Sequence, residues 1–131
     1  MKYPLKYYLP SVLFAALIFF LSSLDQSTVG KFSWGIGDFF LHSAEYNLFG
    51  VTLIWAFYRE KPRIELKPSY RLAVSTGALI AIADEFYQSF IPTRHSSVED
   101  VVADVFGLIL SIIIFSLMLK IPKLEKFRQS A

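Results

Sequence analysis

The sequence predicts an all-α integral membrane bundle of four transmembrane helices, and three observations carry that reading. Apolar residues make up 54% of the 131-residue chain and charged residues only 18%, where a soluble domain has about a quarter charged. The charges fall in blocks between long apolar runs. The Lys and Arg residues also divide unevenly between the connections, as they do in multi-span membrane proteins.

Taken in order, helix 1 is expected over about residues 5–24. Lys2 and Lys6 precede an apolar run, as in a signal peptide, but no small-x-small cleavage site follows Leu24, so the segment reads as a retained span. Pro10 predicts a kink, and Tyr3, Tyr7 and Tyr8 suit the headgroup belt. A polar connection, 25–37, leads into helix 2 over about 38–58, whose first turns carry His42, Glu45, Tyr46 and Asn47. Residues 59–71 form a basic connection in which Pro62 and Pro68 block helix continuation. Helix 3 covers about 72–91. Its uncharged part, Leu72 to Ala83, is too short to span alone, so Asp84, Glu85 and Gln88 must lie inside the membrane or at its edge. Pro92 ends it. Ser96-x-x-Glu99 and Ser97-x-x-Asp100 are capping patterns that open helix 4, about 100–121. The whole, 1–131, reads as a single domain.

Orientation follows from the basic residues. Lys2, Lys6, Arg59, Lys61, Arg63, Lys67, Arg71, Lys120, Lys123, Lys126 and Arg128 fall on one side, and only Lys31 and Arg94 on the other. The positive-inside rule then places both termini in the cytoplasm of a cytoplasmic-membrane protein. Eight of the eleven acids (Asp25, Asp38, Glu45, Asp84, Glu85, Glu99, Asp100, Asp104) lie outside or in the outer half. They describe a polar cup facing away from the cytoplasm. A net charge of +2 argues against a nucleic-acid partner, and the absence of Cys excludes disulfides, thiolate metal sites and a Cys nucleophile.

Helical spacing sorts the cup into faces. Asp100, Asp104, Gly107 and Ser111 share one face of helix 4. Ala73, Gly77, Ala81 and Glu85 repeat every fourth residue on helix 3, a small-residue stripe that lets helices approach closely. Asp38, His42, Tyr46 and Gly50 share a face of helix 2. Asp38 and Glu99 read first as interfacial acids favoured by a helix N-terminus, and Ser96 and Ser97 as caps rather than nucleophiles. His42 reads equally as a hydrogen-bonding core residue and as a functional one. Arg94 is placed to neutralise neighbouring carboxylates. Glu85 and Asp104, at the edge of hydrocarbon, favour function.

The run Asp84-Glu85-x-x-Gln88-x-Phe90-x-Pro92-x-Arg94-x-x-Ser97-x-x-Asp100-x-x-x-Asp104-x-x-Gly107, with His42-x-x-Glu45-Tyr46-x-x-x-Gly50 before it, resembles the VanZ-like membrane proteins. The resemblance implies a small bacterial membrane protein of the cell envelope, associated in the founding member with resistance to the lipid-bearing glycopeptide teicoplanin. Where that family often carries a basic residue beside the Asp that opens helix 2, Phe39 stands here, and Asp38 lacks that partner.

Three mechanisms suit these residues. In the first, the cup binds a drug, a lipid headgroup or an envelope precursor without turnover. Arg94 takes a phosphate or carboxylate, and Asp84, Gln88, Asp100, Glu45 and Tyr46 complete the polar lining. In the second, a membrane hydrolase or transferase acts on a lipid-linked substrate, with Glu85 or Asp104 as base, His42 as acid or base and Arg94 as oxyanion partner. A divalent cation on His42, Glu45, Glu85 and Asp104 suits that chemistry. In the third, intramembrane acids couple ions to transport, but the nearly uncharged inner halves of the helices argue against a path to the cytoplasm. The first reading is favoured because no nucleophile–base pair or complete metal motif stands in the sequence.

Overall fold

The computed structural model describes residues 5–28, 37–60 and 66–121. Four long helices account for most of them: α1, Leu5–Ser22; α2, Asp38–Glu60; α3, Leu66–Gln88; and α4, Val98–Met118. Residues 26–28 add one helical turn, where Asp25 accepts from the Ser27 N–H (3.1 Å). The protein is all-α, as the apolar periodicity predicts. The basic residues Lys2, Lys31, Lys61, Arg63, Lys123, Lys126 and Arg128, together with Tyr3 and Pro62, lie outside the described residues.

The ends of the helices differ from the expected spans for local reasons. α3 starts at Leu66, several residues earlier than expected, with Pro68 in its first turn. A proline there breaks nothing, because the first four N–H groups of a helix have no intrahelical acceptor. Lys67 and Arg71 therefore belong to α3, and Arg59 to α2, rather than to a loop. α3 also stops at Gln88. The chain then turns through the bonds Phe90 N–H to Tyr87 O (3.1 Å), Ile91 N–H to Gln88 O (2.9 Å) and Arg94 N–H to Ile91 O (3.0 Å). Of the two capping serines only Ser97 caps α4: its extended backbone lets Oγ accept the Asp100 N–H at 3.1 Å. α1 and α4 end a few residues short of the expected limits, at Ser22 and Met118, and α2 runs two residues further, to Glu60.

The most extensive helix contact is between α2 and α4, and α1 packs on α2 and, more lightly, on α3. Glycines allow the close approaches. A Cβ on Gly107 would overlap the backbone carbonyl of Ser43, and one on Gly77 would overlap the Leu108 side chain. Where the α2 and α4 backbones meet, Ser43 Oγ donates to Ala103 O (3.1 Å) and Asn47 Nδ2 to Gly107 O (3.4 Å). The core is built from Ile18, Tyr46, Phe49, Leu53, Ile54, Leu108 and Phe115, with Ala73 and Ala81 at the α3 contact. The stripe Ala73, Gly77, Ala81, Glu85 is buried throughout, as its four-residue repeat predicts.

The outer surface is apolar as well. Leu9, Leu13, Leu17 and Phe20 on α1, Leu79, Ile82 and Phe86 on α3, and Val102, Ile109, Ile113 and Leu117 on α4 are all exposed. α1 and α4 are each long and apolar enough to cross a membrane. A soluble monomer rarely exposes continuous apolar area on this scale, so these faces suit hydrocarbon.

Candidate functional site

The chemistry-bearing residues gather at one end of the bundle, because four consecutive antiparallel helices bring the C-termini of α1 and α3 to the N-termini of α2 and α4. α2 contributes His42, Glu45 and Tyr46 from its first turns, and α3 contributes Asp84, Glu85 and Gln88 from its last. α4 contributes Asp100 and Asp104. The α3–α4 connection contributes Arg94 and Ser97.

At the centre His42 Nδ1 pairs with Asp104 Oδ1 at 3.0 Å, with Asp104 fully buried and the His42 side chain 16% exposed. In the neutral tautomer with its hydrogen on Nδ1, His42 donates to the carboxylate and Nε2 is an acceptor or ligand. A second anchor holds Glu85. Its Oε2 accepts the Ser97 N–H at 3.0 Å, so one residue both caps α4 and fixes the Glu85 carboxylate beside it. A third network lies between α1 and α3. Ser22 Oγ donates to Asp84 Oδ2 (2.9 Å), while Gln88 Nε2 reaches Asp84 Oδ2 (3.0 Å) and Ser22 Oγ (3.2 Å).

These bonds leave an unusual remainder. Glu45 Oε1, Tyr46 Oη, Asp84 Oδ1, Glu85 Oε1 and Asp104 Oδ2 are buried with no hydrogen-bond partner among the described residues. Buried polar atoms are nearly always paired, because leaving one unpaired costs about 1–3 kcal/mol. These five and Arg94 Nε, also buried without a partner among the described residues, gather at the same end of the bundle.

Arg94 takes a different part from the expected one. Its Nη1 donates to Gln26 Oε1 (3.1 Å), and among the described residues it forms no ion pair with the acids. Asp38 and Glu99 are exposed at the helix ends, in keeping with interfacial acids. The donors that come together are His42, Glu85 and Asp100, one atom of each lying within 4.8 Å of the others. That set contains Asp100 in place of Glu45 and Asp104. Asp104 sits behind the imidazole instead. The sequence reading missed Ser22 and Ser43. A buried serine on an apolar helix gives no spacing signal of its own, although its position opposite an acid is what binds α1 to the site.

A cavity of about 1030 Å³ opens beside these groups. Its lining includes Phe14, Leu17, Leu21 and Leu48 together with His42, Glu45, Gln88, Arg94 and Asp100. It is an amphipathic space: α1 supplies mostly apolar side chains, and α2 supplies both apolar and polar ones.

A helical bundle sheathed in apolar side chains, with a buried His–Asp pair and unsatisfied acids at one end, defines a small membrane-associated protein with an internal polar site. The VanZ/LLP1 family pattern matches residues 7–119, nearly the whole of the four helices, and the chain belongs to that family. Comparison with the curated proteins and with the solved structures gives no match.

Proposed function

We propose that this protein is a four-span protein of the bacterial cytoplasmic membrane, its termini in the cytoplasm. On this reading its outward cup binds an amphiphile with a polar headgroup: a membrane lipid, a lipid-linked envelope precursor or a lipid-bearing glycopeptide such as teicoplanin. The observation that carries this reading is the cavity, whose lining joins apolar side chains of α1 and α2 to Arg94, His42 and acid and amide side chains that include Glu45, Gln88 and Asp100. An acyl or prenyl chain suits the apolar side chains, and a phosphate or carboxylate suits Arg94 through charge-assisted hydrogen bonds. Distribution of the basic residues supports the orientation.

The test is lipid retention by the purified chain, read by native mass spectrometry after detergent exchange. Wild type is expected to hold one phosphate-bearing amphiphile per chain. Arg94→Gln removes a charged hydrogen bond worth about 1.5–3 kcal/mol, so retention falls roughly tenfold or more. Leu17→Trp adds bulk to the apolar lining and lowers retention with the headgroup site intact. Retention unchanged in both variants would sink the reading.

One observation favours a second reading, a membrane hydrolase or transferase on a lipid-linked substrate. His42 held by Asp104 is the arrangement that keeps an imidazole in one tautomer for proton transfer, with Glu85 on the neighbouring helix. The two readings part at Glu85→Gln. Turnover would be abolished with binding retained in an enzyme, whereas a binding protein would show a graded loss of affinity.

A further inference from the structure

We infer that His42, Glu85 and Asp100 form a binding site for one divalent first-row transition cation, of the Zn²⁺ or Mn²⁺ class. The site shares His42 and Asp100 with the lining of the amphiphile cavity but needs no amphiphile, and a different measurement tests it. One donor atom from each of the three residues lies within 4.8 Å of the other two. Ligands around an ion with bonds of about 2.0–2.2 Å stand roughly 3.3–4.2 Å apart, a difference that small carboxylate rotations close.

Proximity alone would not distinguish this trio from any acidic cluster. Three features of its surroundings do. First, Glu85 is 4% exposed, and its Oε1 has no hydrogen-bond partner among the described residues while Oε2 is pinned by the Ser97 N–H. A carboxylate fixed through one oxygen presents the other as a ready ligand. Second, His42 is held from behind. Its Nδ1 bonds the fully buried Asp104, which leaves Nε2 on the opposite ring edge. That carboxylate–histidine relay is how metal-binding imidazoles are oriented and made more basic. Third, the charges suit a cation: the Glu85 and Asp100 carboxylates offset a divalent ion, the Asp104 carboxylate stands behind the imidazole, and the imidazole adds a ligand of intermediate softness. One nitrogen and two oxygens suit Zn²⁺ or Mn²⁺ rather than the all-oxygen preference of Mg²⁺ or Ca²⁺. The ligands come from α2, α3 and α4, so the ion would also clasp three helices.

The experiment uses the full chain, purified in detergent, stripped of metal and free of added lipid, titrated with Zn²⁺ and with Mn²⁺. Wild type is expected to bind one equivalent saturably. Glu85→Gln and Asp100→Asn each lower affinity at least tenfold, and Asp104→Asn, at the carboxylate that bonds the imidazole, lowers it about 10- to 100-fold. Pulsed electron paramagnetic resonance of the Mn²⁺ form shows coupling to a single imidazole nitrogen, lost in His42→Gln. This spectrum of the wild-type protein decides the question even where a variant folds poorly. No saturable binding by helical, monodisperse wild type overturns the site. So does an affinity within twofold of wild type in both carboxylate variants, or a spectrum without nitrogen coupling.

Discussion

Single side chains at the helix ends carry both the packing and the chemistry. Asp104 has no access to solvent and its Oδ1 has one partner, His42. Asp104→Asn preserves volume and an acceptor but replaces a charged hydrogen bond by a neutral one. We expect a loss of about 1–2 kcal/mol in unfolding free energy, read in a denaturant series in mixed micelles. Ser22 performs the same service between α1 and α3. Ser22→Ala removes the Oγ hydrogen from the buried Asp84 carboxylate and should cost about 1–3 kcal/mol. A loss below a few tenths would show that Gln88 alone satisfies Asp84. Glu85→Gln is different in kind: it keeps the shape, weakens the Ser97 contact and is expected to lose function while membrane insertion is unchanged.

At the scale of elements, close packing of α2 on α4 depends on what a glycine side chain would meet. A methyl on Gly107 would collide with the Ser43 carbonyl, which is backbone and cannot swing aside. A methyl on Gly77 would meet the flexible tip of Leu108. Gly107→Ala is therefore expected to cost about 1–3 kcal/mol by pushing two helices apart, and Gly77→Ala appreciably less. Thermal melts of the two variants in the same detergent give the comparison, and equal shifts would refute it. Ser97 acts at this scale too. Because it caps α4 and also fixes Glu85 through its backbone, Ser97→Ala should lose about 0.5–2 kcal/mol by uncapping while leaving the N–H that Glu85 uses.

For the whole molecule, the proposed topology rests on the partition of basic residues between the two sides of the membrane. The chain has no cysteine, so single introduced thiols report cleanly on sidedness. His95→Cys, in the connection beside the site, should react with a membrane-impermeant maleimide added to intact cells. Lys123→Cys should react only after permeabilisation. The reverse pattern would invert the protein and turn the cup toward the cytoplasm. The exposed apolar faces of α1, α3 and α4 make a detergent or bilayer environment necessary for either measurement.

Much of this was legible along the chain, because helix periodicity and hydropathy are local properties. Alternating apolar runs and prolines announced four helices, the small-residue stripe of α3 announced its buried face, and the spacing of Asp104, Gly107 and Ser111 announced that of α4, with Asp100 half-buried at its edge. The acids and histidine at the helix ends marked a candidate site, since such groups are costly beside hydrocarbon. Partnership was not legible. Nothing in the spacing says that Asp104 backs His42, that Ser97 holds Glu85, that Arg94 reaches Gln26, or that Ser22 joins Asp84 across 62 residues. Each pairing depends on how far the helices slide and rotate against one another, which the glycine contacts set. By itself, the sequence determined which residues are apolar, helical and chemically capable. The tertiary structure decided which of the capable ones meet, because distance between side chains on different helices is a property of packing and not of the chain.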